Sequence, residues 1–293
     1  MKVTALIENK ETTGLACEHG LAIYIEYRGG RYLLDAGQTG ICFENADRLG
    51  IDIEKIDMAF LSHAHYDHSG GLGEFFKRNQ RAKLYLRREA LEYGYYKITE
   101  TVKKDNGFSR ETAEKYRDRF VFVEGDQQVT PGVWLLAHHL PGLEERSRKA
   151  CMYEEKDGAF APDRLKHEQT LVFESDSGLV VLNSCCHSGA EKVIREVQDV
   201  FPGQKIAALI GGFHLMGVNG AGTMAGSREE VEKLAKELQS MGEFGLYTGH
   251  CTGTPAFEIL QEVLGERLSY FSTGTAGSGF LLPHGGSHPR QCG

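Results

Sequence analysis

Leu61-Ser62-His63-Ala64-His65-Tyr66-Asp67-His68-Ser69-Gly70-Gly71 puts three imidazoles and a carboxylate within six residues. The run follows Asp57–Ser62, which reads as a short apolar strand. His63 and His65 are two residues apart, and at a strand end that spacing points both rings the same way. On a helix of 3.6 residues per turn they would diverge by about 200°. Asp67 and His68 follow in the loop, where they can turn to a second ion. Gly70-Gly71 is expected to let the backbone turn tightly into a helix. Imidazole with carboxylate suits zinc, with iron or manganese as alternatives. A His-rich surface loop is the bland reading, but so dense a cluster rarely arises by chance.

Working outward, the chain before this run is rich in hairpins. Val3–Ile7, Leu21–Tyr27 and Arg31–Asp35 read as strands, with Gly29-Gly30 as a turn. Ile41–Leu49 reads as a helix. Between about 88 and 116 the chain is charged, Tyr-rich and weakly helical. Phe120–Glu124 and Val133–Ala137 read as strands, and Pro141–Lys166 as a long polar, irregular connection, the kind that often forms a lid or wall. The last half alternates. Strands are expected at Leu171–Glu174, Leu179–Asn183, Lys205–Ile210, Gly245–Thr248 and Leu268–Phe271. Helices are expected at Ala190–Val200, Ser227–Met241 and Pro255–Leu264. Ser227 with Glu230 three residues on is a capping-box pattern. Hairpins followed by strand–helix alternation imply an α/β protein of two sheets covered by helices.

The 293 residues are 41% hydrophobic and 25% charged, with net charge -8 and no block of like charge. That balance gives no support to nucleic-acid binding. The N-terminal apolar run is too short for a signal peptide. No stretch of about 18 apolar residues suggests a membrane span. Seven scattered cysteines lack a disulfide-framework spacing, so a cytoplasmic chain with reduced thiols is expected. No linker or repeat is visible, so residues 1–293 are read as a single domain, with a variable insertion at about 88–167 shaping the pocket.

His-x-His-x-Asp-His resembles the signature of the metallo-β-lactamase superfamily. Further stretches are similar to the branch that includes dihydropterin (ribofuranosylaminobenzene phosphate) synthase-like proteins and metal-dependent hydrolases. These are Cys17-Glu18-His19-Gly20-Leu21, Leu33-Leu34-Asp35-Ala36-Gly37, Asn183-Ser184-Cys185-Cys186-His187-Ser188-Gly189, Ile210-Gly211-Gly212-Phe213-His214-Leu215 and Gly249-His250-Cys251-Thr252-Gly253. The resemblance implies a four-layer αβ/βα sandwich with two divalent metal ions, zinc first, at one edge. It assigns His63, His65 and His187 to one ion, and Asp67, His68 and His250 to the other. Where that family has a bridging carboxylate, this chain has Cys185, either a thiolate ligand, a thiol near the ions or a plain buried cysteine. His138-His139 is a competing source of the third imidazole, although a pocket wall or surface pair is the commoner role.

Asp35 is a candidate partner for a metal-bound imidazole, against a turn cap. Asp67 is well placed to orient a water molecule, in addition to binding metal. The resemblance gives His214 a substrate-side catalytic role, with the N–H groups of Gly211 and Gly212 able to join it. His19 and Glu168 are weaker pocket candidates. The Thr273–Gly279 run lacks the lysine and the helix of a phosphate loop and reads as flexible. The expected function is metal-dependent hydrolysis of a small anionic substrate, phosphorylated in one version. A synthase-like transferase joining a pterin to an aminobenzene phosphate is the alternative, and a non-catalytic binder is disfavoured by the intact ligand set. No membrane or nucleic-acid partner is expected, and a homo-oligomer is compatible with the sequence.

Overall fold

Leu179 and Val181 leave one face of the strand Gly178–Leu182, and Val180 and Leu182 the other; all four are buried. A strand's two-residue period makes such a run apolar on both faces only where the sheet is covered on both sides. Leu179 and Val181 pack with Val193, Ile194 and Val197 of the helix Ala190–Val200. Val180 and Leu182 pack instead with Ile23, Ile25, Leu34 and Phe60, which belong to a different sheet. A third apolar cluster joins Leu33, Ala59 and Leu84 to Phe43, Phe75 and Phe76. Three cores lying between four layers make a helix–sheet–sheet–helix sandwich.

The computed structural model describes residues 1–11, 14–92, 94–97, 103–278 and 290–291. The first sheet runs Ala276–Ser278, Lys2–Ile7, Ala22–Tyr27, Gly30–Leu34, Met58–Phe60, Lys83–Leu86, Phe120–Phe122. The second runs Gln127–Thr130, Val133–Ala137, Gln169–Ser175, Gly178–Leu182, Ile206–Ile210, Gly245–Thr248, Leu268–Tyr270. In each, antiparallel hairpins give way to parallel pairs. The parallel strand ends hand over to loops on one side, and those loops carry the histidines. Ser227 caps the helix Arg228–Ser240 with the expected capping box to Glu230, worth about 1 kcal/mol.

Several expectations change. The weakly helical stretch and the polar connection hold the helices Arg110–Lys115 and Leu143–Lys149 and the strands Gly94–Lys97, Lys103–Asp105, Met152–Lys156 and Ala159–Pro162. The four strands pair with one another as a separate small sheet. Each is short, so neither run showed apolar periodicity, and the pairing Tyr153↔Tyr95 joins segments far apart in sequence. The reading of Thr273–Gly279 as a flexible loop is corrected by Ala276–Ser278, which pairs with Lys2–Ile7; Gly279 lies outside the described residues. Cys17 is disulfide-bonded, against the expectation of reduced thiols throughout, whereas Cys42, Cys151, Cys185, Cys186 and Cys251 are free.

Candidate metal centre

His63 and His65 follow the strand Met58–Phe60, with ring centroids 4.7 Å apart. The helix Tyr66–Ser69 begins directly after His65 and carries Asp67 and His68. The loop after Gly178–Leu182 brings in Cys185 and His187, and the one after Gly245–Thr248 brings in His250. His187's ring lies 4.7 Å from that of His63 and 4.6 Å from that of His65. His68 Nε2 lies 3.0 Å from His250 Nε2, and Asp67 Oδ2 lies 3.2 Å from the same His250 atom. All seven residues are buried and meet at one edge of the sandwich.

Gly70 and Gly71 are needed here for closeness. Both have ordinary negative φ angles, so the expected conformational reason does not apply. A Cβ on Gly70 would fall 2.0 Å from the carbonyl oxygen of Gln38, and one on Gly71 2.1 Å from that of Ala36. The short helix is pressed against the loop after Gly30–Leu34, which holds Asp35.

The hydrogen bonds fix which nitrogen of each ring faces the centre. Asp35 Oδ2 lies 2.8 Å from His68 Nδ1 and accepts the Ser62 hydroxyl at 2.6 Å. The Nδ1 proton of His68 therefore goes to Asp35, and its Nε2 lone pair faces His250. With its hydrogen given to Asp35, Ser62 Oγ accepts from His63 Nδ1 at 2.8 Å. His63 Nε2 is then a bare lone pair, buried and without a hydrogen-bond partner among the described residues. His250 Nδ1 donates to Asn9 Oδ1 at 2.9 Å, which likewise turns its Nε2 inward. Both ring nitrogens of His187 are also buried without a partner among the described residues.

Buried polar atoms are almost always satisfied. Two imidazole Nε2 atoms facing each other at 3.0 Å call for a shared cation, a proton in the metal-free chain or a metal ion in its place. This donor set therefore fits metal ions. The donor atoms of His63, Cys185 and His187 lie within 4.8 Å of one another, as do those of His68, Cys185 and His250, and those of His19, Asp67 and His250. Cys185 belongs to two of these groups, so its sulfur stands between them.

The electrostatics agree. Burial, with crowding by neighbouring imidazoles, pushes His63 and His187 well below the usual histidine range and His65 down to about 3. Neutral imidazoles are the form that binds metal. Burial would raise Asp67, but His68 and His250 outweigh it and keep the carboxylate ionised. Burial would lower His250, but Cys251 and Asp67 raise it to about 9. Asp35, His214 and His250 have φ angles of 60°, 49° and 47°. Non-glycine residues rarely adopt that left-handed region, at a cost of about 1–3 kcal/mol each. Side chains with a task are kept where glycine would be easier.

Other expected residues fall in different places. The His214 ring centroid lies 4.1 Å from that of His187, the rings tilted at 55°, and its Nδ1 is buried without a partner among the described residues. The Gly211 and Gly212 N–H groups do not join it: they donate to the carbonyls of Tyr247 and Ser184 at 2.9 and 2.8 Å, because both glycines stitch strand ends together. His19, half exposed, sits 3.3 Å from Asp67 Oδ2. His138 is not near the centre. Its Nδ1 donates to Glu196 at 2.6 Å, and its Nε2 lies 2.8 Å from Glu168, close but not aligned as a hydrogen bond. Glu168 in turn accepts the backbone N–H groups of His187 and Ser188 at 2.8 and 3.0 Å. His138 and Glu168 thus hold the His187 loop from behind, and His139 is a surface residue beside Asp199.

Sequence reasoning missed Asn9, Ser62, Cys251, Asp163 and His167. Cys251 Sγ lies 3.2 Å from Cys185 Sγ. His167 Nδ1 accepts the Ala64 N–H at 3.2 Å, and its Nε2 donates to Asp163 at 2.9 Å. Only Cys251, next to His250, carried a sequence signal; His167 reaches Ala64 across 103 residues with Asp163 behind it, and Asn9 and Ser62 are an ordinary asparagine and serine beside a strand.

Residues 15–145 match the family model described as the metallo-beta-lactamase superfamily. That range holds His63 to His68 but ends before His187 and His250. Among curated proteins, the chain is 26% identical over 260 residues to 7,8-dihydropterin-6-methyl-4-(beta-D-ribofuranosyl)-aminobenzene-5'-phosphate synthase of Methanocaldococcus jannaschii, covering 84% of each chain. An uncharacterized protein of the same organism is 25% identical, over 89% of this chain and 94% of its own. Among solved structures, a metal-dependent hydrolase of the beta-lactamase superfamily superposes with a TM-score of 0.79 at 26% identity, covering 95% of this chain and 98% of that one. The metallo-beta-lactamase fold protein YhfI of Bacillus subtilis gives 0.57 at 13% identity, over 95% and 98%, a likeness of fold alone. Among the described residues no helix is long and apolar enough to cross a membrane. Residues 15–145 thus match the metallo-β-lactamase superfamily, and the chain has the metallo-β-lactamase fold.

Proposed function

We propose that this chain is a metal-dependent hydrolase of a small anionic substrate, working with two divalent ions, zinc first. His63, His65 and His187 would hold one ion, and Asp67, His68 and His250 the other, with the Cys185 sulfur between them. The observation that carries this reading is the set of inward nitrogens: those of His63 and His187 are without partners among the described residues, and the Nε2 atoms of His68 and His250 face each other at 3.0 Å, with the rings of His63, His68 and His250 oriented by hydrogen bonds from outside. When bound, the ions supply Lewis-acid charge that activates water and polarises the reacting bond.

The chain's own residues do the rest. Asp67, kept ionised among the imidazoles, accepts a hydrogen bond from an incoming water and orients it. His214, beside His187 with a free Nδ1, faces the substrate side and stabilises charge leaving the reacting bond. Asp35, Ser62 and Asn9 hold the tautomers that this requires.

The test is metal analysis of freshly purified protein together with turnover of p-nitrophenyl phosphate and a phosphodiester. Two bound equivalents with turnover abolished in His65→Ala support the reading; a metal-replete protein that turns over no ester overturns it. One observation favours a second reading: the similarity to the dihydropterin synthase extends over 84% of both chains. Product formation solely from a pterin donor plus an aminobenzene phosphate would establish that synthase chemistry at the same site.

A further inference from the structure

Arg87 ends the strand Lys83–Leu86 and is 4% exposed. Its Nη1 donates to the carbonyls of Val123 and Gly125 at 3.2 and 2.8 Å. Its Nε and Nη2 are buried and have no partner among the described residues. Those two nitrogens form one edge of the guanidinium, with two N–H bonds pointing in parallel. That edge is the fork that grips a carboxylate or phosphate with two hydrogen bonds. A buried cation with unfilled donors is costly, and proteins rarely leave one so.

Arg87 lines a cavity of about 340 Å³, within the range of small-molecule sites. Arg88, Arg164 and Lys166 line it too, against Glu89, Glu124 and Glu168. Glu168 is already neutralised by His138 and two backbone N–H groups, and Arg164 is paired with Glu154 outside the cavity. Lys166 is exposed, so it brings a mobile positive charge to the rim. Glu89 and Lys166 also border the narrow opening lined by Ala64, His65 and His167. The cavity therefore adjoins the metal centre, with the 163–168 segment as the wall between them.

We propose that this cavity is an oxyanion-binding site, in which Arg87, whose Nε and Nη2 are left without partners among the described residues, takes a phosphate or carboxylate group distinct from the reacting bond. The proposal deepens the hydrolase reading by giving an anionic substrate a second anchor, yet it does not depend on turnover. The occupant is the unreacting anionic end of the substrate or a free oxyanion.

Titration of the full-length, metal-replete chain with inorganic phosphate by calorimetry tests it. Saturable binding, weakened at least tenfold in Arg87→Gln with metal content unchanged, is expected. Because Arg87 also holds two carbonyls, Arg87→Gln can fail to fold; Lys166→Gln then decides, with binding weakened about threefold and a shallower salt dependence. Phosphate inhibition of ester hydrolysis that is competitive in the parent and lost in Arg87→Gln assigns the site to the substrate. Saturable binding without competition assigns it to a free oxyanion. No saturable phosphate binding, or the same affinity in folded parent and variants, overturns the proposal. A chain that binds phosphate through Arg87 but hydrolyses nothing refutes the hydrolase reading and leaves this one standing; a hydrolase indifferent to Arg87→Gln does the reverse.

Discussion

Asp35 Oδ2 accepts from His68 Nδ1 at 2.8 Å, and through the Ser62 hydroxyl the same carboxylate also orients His63. One fully buried side chain thus sets the tautomers of two imidazoles assigned to different ions. Asp35→Ala is expected to lower affinity for both metal equivalents about 10–100-fold, and Ser62→Ala to weaken chiefly the ion at His63. Competition against a chelator of known affinity measures both. Full affinity in Asp35→Ala would show that packing alone orients the rings.

Cys185 lies between the two groups of donors, 3.2 Å from His68 Nε2. Cobalt-substituted protein is expected to show thiolate-to-metal charge-transfer absorption that disappears in Cys185→Ser. Cys185→Asp, which restores a carboxylate at that position, is expected to keep both equivalents without the band. Identical spectra for parent and Cys185→Ser would make the residue a spectator thiol.

The buried assembly of His138, Glu168 and Glu196 predicts a pH dependence of stability. Burial would lower His138, but Glu168 and Glu196 raise it to about 9. Its contribution is full below its usual value near 6.5 and is lost as pH rises through 9. Burial would raise Glu168, but His138 and the backbone N–H groups lower it to about 2. That contribution is full above about 4.5 and is lost as pH falls toward 2. His138→Ala is expected to cost about 3–5 kcal/mol at pH 7, because it strands two buried carboxylates, and to flatten the alkaline limb. Denaturant midpoints from pH 4 to pH 10 check this; an unchanged alkaline limb in the variant refutes it.

Gly71→Ala would drive a methyl group to within 2.1 Å of a backbone carbonyl. Backbone cannot yield as a side-chain tip does, so a loss of about 3 kcal/mol or more is expected, with weaker metal binding because the Asp67–His68 helix is displaced. Parent-like unfolding midpoints would mean the loop after Gly30–Leu34 relaxes freely.

The sequence alone determined the sandwich and the metal run. His63 and His65 owe their common direction to the two-residue period of a strand, and Leu179–Leu182 owe their double-sided burial to the same rule; both are local, so both are legible in one dimension. The capping box at Ser227 is local too. Only the tertiary structure decided the rest of the centre. Asn9 and His167 are ordinary residues until the fold brings segments more than a hundred positions apart into hydrogen-bond range, and the Glu168–His138 contact likewise forms only in the fold. The small sheet that joins Tyr95 to Tyr153, and the cavity beside the unpartnered donors of Arg87, likewise depend on long-range pairing. A tautomer or an unfilled donor is a property of a neighbourhood, and neighbourhoods exist only once the chain has folded.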